Sequence, residues 1–214
     1  MKTPTLHYIF DPLCGWCYGA APLVKAAQTI PGLNITLHAG GMMTGSNRRR
    51  ISDEWRNYVM PHDKRIAELT GQTFGEKYFN GLLRDTTAVM DSIPPITAIL
   101  AAEQLAGRGI DMLHRIQEAH YQEGQRIADT PVLTTLAQEL GLASAAFIAE
   151  MRFKSGAPTA QHIAQSRALL AQVQGQGFPT FALRRSDGHL HPLPVGHYLA
   201  DIAGWKELLI NTAH

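Results

Sequence analysis

LHYIFDPLCGWC, residues 6–17, contains both cysteines of the 214-residue chain. Its apolar first half, Leu6 to Phe10, predicts a β-strand, and Asp11-Pro12-Leu13 predicts a turn into a helix that starts near Cys14. The Cys-x-x-Cys spacing brings two sulfurs close enough to form a reversible disulfide, and the start of a helix favours the thiolate of the first cysteine. The pair is therefore typical of a redox site rather than of a structural disulfide.

Composition excludes several classes of partner. A hydrophobic fraction of 45% over 214 residues is enough for a core without disulfides. The formal net charge of +1 gives no electrostatic reason to expect nucleic acid or an anionic membrane as a partner. We find neither a run of about 18 apolar residues nor, at Met1 to His7, the apolar segment of a signal peptide. We therefore expect a cytoplasmic protein that binds neither nucleic acid nor membrane.

The order of strand and helix patterns predicts the architecture. Leu33 to Ala39 follows the first helix, which ends near Thr29, and completes a βαβ unit with parallel strands. Thr180 to Leu183 and His189 to Leu193 predict a hairpin around a Ser-Asp-Gly turn, before a last helix at about Leu199 to Asn211. Between these parts lies a helical block. The fold class is therefore α/β, with β-α-β and β-β-α halves interrupted by a large all-helical insertion.

The helical block contains several segments with helical periodicity, separated by glycines and prolines. They span Asp53 to Leu69, Phe74 to Leu83, Ile96 to Leu105, Ile110 to Gln122, Pro131 to Leu140, Ala145 to Arg152 and Thr159 to Val173. Ser52 is a candidate N-cap for the first of them. Thr130 and Pro131 are candidates for the N-cap and first helical position of a later one.

These features together resemble the DsbA-like thioredoxin-fold family. The resemblance depends on the strand, the Cys-x-x-Cys at a helix start, Pro22 five residues beyond Cys17, and a β-β-α half that opens with Phe178-Pro179-Thr180. Phe10 to Gly19 is especially similar to predicted protein-disulfide isomerases of that family. The resemblance implies a discontinuous thioredoxin-like domain, residues 1–45 and 175–214, and a helical insertion domain at residues 46–174.

The same resemblance implies a function. The chain is expected to be a thiol–disulfide oxidoreductase or protein-disulfide isomerase, with Cys14 as the nucleophile and Cys17 as the resolving thiol. It implies a cis peptide bond before Pro179 and a substrate cleft that includes Gly15, Trp16, Phe178, Pro179 and Thr180. Its substrates would be protein or small thiols and disulfides. No metal or organic cofactor is required beyond the redox-active disulfide, with glutathione as a candidate co-substrate, and no oligomeric state follows from the sequence.

Two departures from DsbA bear on the direction of the reaction. DsbA is a strongly oxidising protein with Pro-His between its cysteines, whereas Gly15-Trp16 carries no positive charge to stabilise a thiolate. Tyr8 stands where DsbA has a buried glutamate that assists proton transfer. Asp11 is a nearer carboxylate, which can tune the cysteine pair or simply form the turn before Pro12. We therefore expect a less oxidising pair, suited to reduction or isomerisation.

Three other functions were weighed. A zinc site at Cys14 and Cys17 lacks two further ligands at a suitable spacing. A glutathione-dependent enzyme resembling kappa-class transferases or hydroxychromene-carboxylate isomerases would share the inserted helical domain, but those relatives usually have serine at the first cysteine position. A redox-sensitive adaptor would capture a partner without turnover.

Two segments outside the motif have candidate roles in the cleft. Met42 and Met43 follow the second strand and can offer adaptable apolar contacts there, although packing within the loop is an equal alternative. Arg48-Arg49-Arg50 can bind the carboxylates of glutathione, but three cations before a helix are more often a solvated surface.

Overall fold

A four-stranded mixed sheet joins the two ends of the chain. In the computed structural model, which describes residues 3–213, its strand order is β2-β1-β5-β6. The strands are β1 (Thr5–Phe10), β2 (Asn34–Ala39), β5 (Thr180–Arg184) and β6 (Leu190–Leu193). β1 and β2 are parallel, whereas β5 is antiparallel to both β1 and β6. The predicted α/β class with β-α-β and β-β-α parts is confirmed.

The remaining elements lie mostly between β2 and β5. A small antiparallel pair is formed by β3 (Arg49–Arg50) and β4 (Val89–Met90). The α-helices are α1 (Gly15–Gly19), α2 (Ala21–Gln28), α3 (Asp53–Thr70), α4 (Ile93–Ala106), α5 (Gly109–Tyr121), α6 (Thr130–Glu139), α7 (Ser144–Lys154), α8 (Ala157–Gln172) and α9 (Ile202–Ala213). Within residues 3–213, none of these helices has the length and apolar character needed to cross a bilayer. The domain boundaries at residues 45 and 175 stay a prediction.

The predicted single helix from Cys14 to Thr29 divides into α1 and α2 at Ala20. Pro22 causes the division, because it has no N–H to donate to the carbonyl of Tyr18. The side chain of Gln72 supplies a donor instead, with its Nε2 at 2.9 Å from that carbonyl oxygen. The segment after α3 thereby holds the break in place.

Sequence-based bounds were wrong at three places in the helical block. The segment from Phe74 to Leu83 forms a π-helix (Lys77–Gly81) and a 3₁₀ turn (Leu82–Arg84) instead of an α-helix. Its start is held at Gly75, whose N–H donates to the Tyr121 carbonyl at 2.8 Å. The backbone of Gln122 comes so close there that a side chain on Gly75 would collide with it.

The other two errors concern helix starts. α4 begins three residues before the predicted Ile96, because Pro94 and Pro95 fit its first turn, where no N–H is needed. The N-cap of α6 is Asp129, and Thr130 already lies in the helix. Ser52 is the N-cap of α3 as predicted, and its hydroxyl accepts a hydrogen bond from Trp55 N–H at 3.2 Å.

Burial of β1 on both faces fixes the position of the cysteine motif. Tyr8 and Phe10 belong to the main core, whereas Ile9 packs with Val173 and Ala182 on the opposite face. The strand ends at the carboxyl edge of the sheet, which is where parallel α/β sheets commonly place their ligand sites. Cys14 follows this end after a three-residue turn.

Candidate active site

Cys14 and Cys17 lie at the start of α1 with unequal exposure. Cys14 is the N-cap residue, and its carbonyl accepts hydrogen bonds from the N–H groups of Cys17 (3.0 Å) and Tyr18 (3.1 Å). Both thiols are free; Cys14 is 6% exposed and Cys17 is fully buried. Burial raises the pKa of the Cys17 thiol well above its ordinary value, and the neighbouring Cys14 adds to this rise. An incoming sulfur can therefore reach Cys14 first.

The loop before β5 contacts Cys14, the less deeply buried of the two cysteines. Its Phe178–Pro179 peptide bond is cis, as the resemblance implied. The Cys14 thiol donates a hydrogen bond to the Phe178 carbonyl, with 3.4 Å between sulfur and oxygen. The ring of Phe178 lies so close to Gly40 that a side chain at position 40 would collide with it. The end of β2 thus fixes the loop against Cys14.

Asp11 is a buried junction between three segments. Its carboxylate accepts hydrogen bonds from Leu13 N–H (2.9 Å), Met42 N–H (2.6 Å) and the Ser92 hydroxyl (2.9 Å). The bond to Leu13 is an Asx turn, so the turn-forming role is present. Burial raises the pKa of Asp11 to about 6 in spite of these donors. Asp11 therefore links the cysteine turn to the loop after β2 and to the residue before α4.

A cavity of about 410 Å³ opens beside Cys14. Its lining combines sulfur, aromatic and charged groups: Leu13, Cys14, Gly15, Trp16, Met42, Met43, Asn47, Arg49, Trp55, Tyr58, Val59, His62, Asp63, Ile66, Tyr78, Met90 and Tyr121. Arg49 places its guanidinium over the Trp55 ring, 5.1 Å from the ring centroid. The volume falls in the range of small-molecule sites, about 300–1,000 Å³.

Asp63 of α3 is the acidic residue in this lining. Its side chain is buried, with 4% exposure, and one oxygen accepts a hydrogen bond from the Tyr78 hydroxyl at 2.8 Å. Burial raises the pKa of the carboxyl to about 7, although the Tyr78 hydroxyl acts in the opposite direction. Near neutral pH, this carboxyl can both accept and donate a proton.

Known protein families include one whose pattern matches this chain. A family model described as the DsbA-like thioredoxin domain matches residues 5–196. The chain belongs to this family. No match was found among curated protein sequences.

Solved structures agree with membership of the DsbA-like family. The cytosolic disulfide reductase DsbM from Pseudomonas aeruginosa shares 54% identity and a TM-score of 0.91, over 97% of each chain. A second DsbM structure, with GSH, shares 51% identity and a TM-score of 0.89, over 97% of this chain and 98% of DsbM. A putative protein disulfide isomerase from Nitrosomonas europaea has the same fold at 21% identity, with a TM-score of 0.79 over the whole of both chains. This DsbA-like chain is a thiol–disulfide oxidoreductase.

The predicted site residues of this DsbA-like protein are only partly brought together. Gly15 and Trp16 line the cavity with Cys14, and so do Met42 and Met43, for which the sequence left a place in the cleft and packing within the loop as equal alternatives. The Thr180 hydroxyl donates to the Gly177 carbonyl at 2.7 Å and is used within its own loop.

One acidic group in the cavity was not assigned from the sequence, and one arginine had been considered only as part of a run of three. Asp63 was missed because a lone acidic residue in a predicted helix has no local signal for a site. Arg49 is exposed, as the solvated interpretation of the arginine run expects, but it also lines the cavity. Its neighbour Arg48 instead pairs with Asp91 at 2.7 Å.

Proposed function

We propose that this protein is a cytoplasmic disulfide reductase that uses glutathione as its reductant, with Cys14 as the nucleophile and Cys17 as the resolving thiol. The observation that carries the proposal is the cavity beside Cys14, in which one cation lies on an aromatic surface. A DsbM structure with GSH, 51% identical to this chain, supports the choice of thiol.

The cavity suits the chemistry of glutathione. This tripeptide carries two carboxylates. The guanidinium of Arg49, in the cavity lining, can bind one of them with paired hydrogen bonds. Trp16 and Trp55 offer flat apolar surfaces to the backbone of the tripeptide. Because Cys14 is only 6% exposed, a protein substrate must present its disulfide on an extended or flexible segment.

The proposed cycle conserves atoms and electrons. The Cys14 thiolate attacks one sulfur of the substrate disulfide, and the other sulfur leaves as a thiol after taking up a proton. Cys17 then attacks the Cys14 sulfur, which releases the second substrate thiol and forms the Cys14–Cys17 disulfide. Two glutathione molecules reduce this disulfide in turn and leave as oxidised glutathione.

The surroundings of Cys14 favour reduction over oxidation. A strongly oxidising pair requires a reduced form that is stabilised as a thiolate. Here the hydrogen-bond partner of the Cys14 side chain is the neutral carbonyl of Phe178, and not a cation. Gly15 and Trp16 supply no cation. The pair should therefore be less oxidising than that of DsbA.

Asp11 and the loop before β5 have supporting roles in this proposal. Burial is the largest cause that raises the pKa of Cys17 and keeps that thiol protonated, whereas Asp11 acts on this pKa in both directions, since its backbone hydrogen bond lowers the pKa and its negative charge raises it. The supporting role of Asp11 is therefore to hold the cysteine turn in place through its hydrogen bonds. Phe178, Pro179 and Thr180 form the backbone edge on which a peptide substrate is held next to Cys14.

A coupled assay tests the function. Wild-type protein is given glutathione and a small dialkyl disulfide, and formation of oxidised glutathione is followed through NADPH consumption by glutathione reductase. We expect turnover well above the uncatalysed exchange rate. A rate equal to that of the uncatalysed reaction would leave the adaptor interpretation standing and overturn the proposal.

Replacing Arg49 by glutamine should raise KM for glutathione about 5- to 20-fold and leave kcat nearly unchanged, since a partly exposed charged hydrogen bond contributes about 1–2 kcal/mol. The loss should be confined to the charged thiol. Turnover with 2-mercaptoethanol, which has no carboxylate, should be the same for variant and wild type.

Arg50→Gln is the matched control for this change. Arg50 is the adjacent residue of β3. Its side chain is exposed, as that of Arg49 is, but it does not belong to the cavity lining. Equal increases of KM in the two variants would mean that Arg49 acts only through the general positive charge of the surface.

A further inference from the structure

Asp63 has one carboxylate oxygen without a protein partner. The Tyr78 hydroxyl binds Oδ2, and the hydrogen bonds of residues 3–213 include none to Oδ1. Nor does Asp63 belong to any ion pair in that part of the chain. Its side chain is nevertheless 4% exposed and lies in the cavity lining. Oδ1 is not among the enclosed unpartnered atoms of residues 3–213, so it is open to a molecule that enters the cavity.

The free oxygen lies over the dipeptide between the two cysteines. A Cβ atom on Gly15 would stand 2.7 Å from Oδ1 of Asp63 and 3.0 Å from Cδ1 of Ile66. Only glycine leaves this space open. Asp63 and Cys14 therefore face the same cavity from adjacent positions, across the backbone of Gly15.

Reduction of the protein disulfide near neutral pH is faster when a base at this place takes the proton of the attacking thiol. An ordinary thiol has a pKa of about 8.5, so only about 3% of it is thiolate at pH 7. The thiol must lose its proton before or during attack on the Cys14 sulfur. Asp11 is less suited to take this proton, because its carboxylate already accepts three hydrogen bonds.

We propose that Asp63 is the general base that takes the proton from the small thiol attacking the Cys14–Cys17 disulfide. This inference rests on the proposed function, in which that thiol is glutathione. The new sulfur–sulfur bond joins glutathione to Cys14, and the bond between Cys14 and Cys17 breaks. The electron pair of the broken bond goes to the Cys17 sulfur, which then receives the proton held by Asp63. A second glutathione, deprotonated in the same way, attacks the glutathione sulfur of this mixed disulfide. The new bond is that of oxidised glutathione, the bond from glutathione to Cys14 breaks, and the Cys14 sulfur takes the electron pair and then the proton held by Asp63.

Other ionisable groups line the same cavity as Asp63, and their effect on the pH dependence of the reaction has to be distinguished from that of Asp63. Those that line the cavity are Cys14, Arg49, Tyr58, His62, Tyr78 and Tyr121. Burial raises the pKa of both Tyr78 and Tyr121 well above the ordinary value, so these two phenols stay neutral. In the oxidised protein Cys14 has no proton to lose. A variant of His62 is therefore needed as a control, to show that the pH dependence of the rate comes from Asp63 and not from His62.

The experiment measures the first reduction step on the oxidised protein. Pre-oxidised wild type is mixed with excess glutathione between pH 5 and pH 10, quenched by alkylation, and analysed by intact mass. The pKa of Asp63 is about 7. Below that pH the carboxyl is protonated and cannot accept, so the rate constant should rise with a midpoint near 7. In Asp63→Asn, the rise should move to the thiol's own pKa, about 8.5.

The size of the loss should depend on pH. At pH 7 we expect Asp63→Asn to react up to about 15-fold more slowly, since about 3% of free glutathione is thiolate at that pH and about half of Asp63 is ionised and able to accept a proton. At pH 9.5 the two proteins should differ by less than about twofold, because the thiolate forms without help. Tyr78→Phe removes the donor that lowers the pKa of Asp63, and should shift the midpoint to higher pH.

Two variants serve as controls. His62→Gln should keep the midpoint of the wild type, and Asp53→Asn, an exposed change in the same helix, should keep both midpoint and rate. Asp63→Asn should remain folded, since burial of a charged carboxyl destabilises the native state above its pKa and asparagine removes that charge. Its melting temperature at pH 8 should equal or exceed that of the wild type.

The outcomes separate the inference from the proposed function. A loss in Asp63→Asn that is the same at every pH would mean that Asp63 only holds the glutathione ammonium group or the fold, and would overturn the inference. A midpoint that moves in His62→Gln instead would also overturn it. If wild type fails to react with glutathione at any pH but reacts with dithiothreitol, the choice of reductant is wrong.

Discussion

Cys14→Ser is expected to abolish disulfide reduction, with kcat/KM falling by at least about 1,000-fold. A serine hydroxyl is not ionised at neutral pH and cannot form the mixed disulfide through which exchange proceeds. The change is otherwise small, because the hydroxyl can keep the hydrogen bond that the thiol donates to the Phe178 carbonyl. The coupled glutathione assay measures the loss, and the melting temperature shows that the fold is retained.

Cys17 should not rescue this variant. It is fully buried, and burial keeps its pKa well above the ordinary value, so it is neither reached by substrate nor ionised. A residual rate within about tenfold of the wild type would mean that Cys17 or another group starts the exchange. The assignment of Cys14 as the nucleophile would then be wrong.

Cys17→Ala is expected to stop the cycle one step later. When this variant is treated with oxidised glutathione in the absence of free thiol, Cys14 should retain one glutathionyl group. In the wild type, Cys17 attacks the Cys14 sulfur and displaces that group within the same molecule, where the effective concentration of the attacking thiol is very high. Intact mass under non-reducing conditions distinguishes the adduct from the Cys14–Cys17 disulfide.

The matched control for the trapping experiment is Cys14→Ser under the same conditions. It should form no adduct, because its remaining thiol is buried. An adduct on Cys17 in that variant, or none on Cys14 in Cys17→Ala, would contradict the order of the two attacks. Excess glutathione must be absent, since a second molecule can release the trapped group as oxidised glutathione.

The parts of the site that were predictable from sequence are those that local chemistry specifies. Cys14 and Cys17 are the first and last of four consecutive residues, and the apolar strand before them fixes where the helical turn begins. The cis bond before Pro179 was implied by the resemblance and is confirmed. Most helices of the helical block were also predicted correctly, because the periodic spacing of apolar residues and the glycines between helices can be read from the local sequence.

The parts that could not be predicted depend on contacts between distant segments. Asp63 and Arg49 line one cavity with Cys14 only in the folded chain. Asp63 has no local signal, and the run of three arginines does not show which of its members faces the cavity. The π-helix at Lys77–Gly81 depends on the approach of the Gln122 backbone to Gly75, a contact across more than forty residues of chain. The Asp11 carboxylate was a correct candidate for the turn, but its bonds to Met42 N–H and the Ser92 hydroxyl required the folded structure.

The contact between Gly15 and Asp63 limits how this enzyme can evolve or be engineered. The two residues between the cysteines are direct chain neighbours of the reacting thiols, so a charge or bulk introduced there is expected to change their reactivity. Here any side chain at position 15 would collide with the carboxylate 2.7 Å away. Positions 15 and 63 should therefore vary together among homologues: chains with a larger residue after the first cysteine should carry a smaller one in place of the aspartate, and a redesigned dipeptide will need a compensating change in α3.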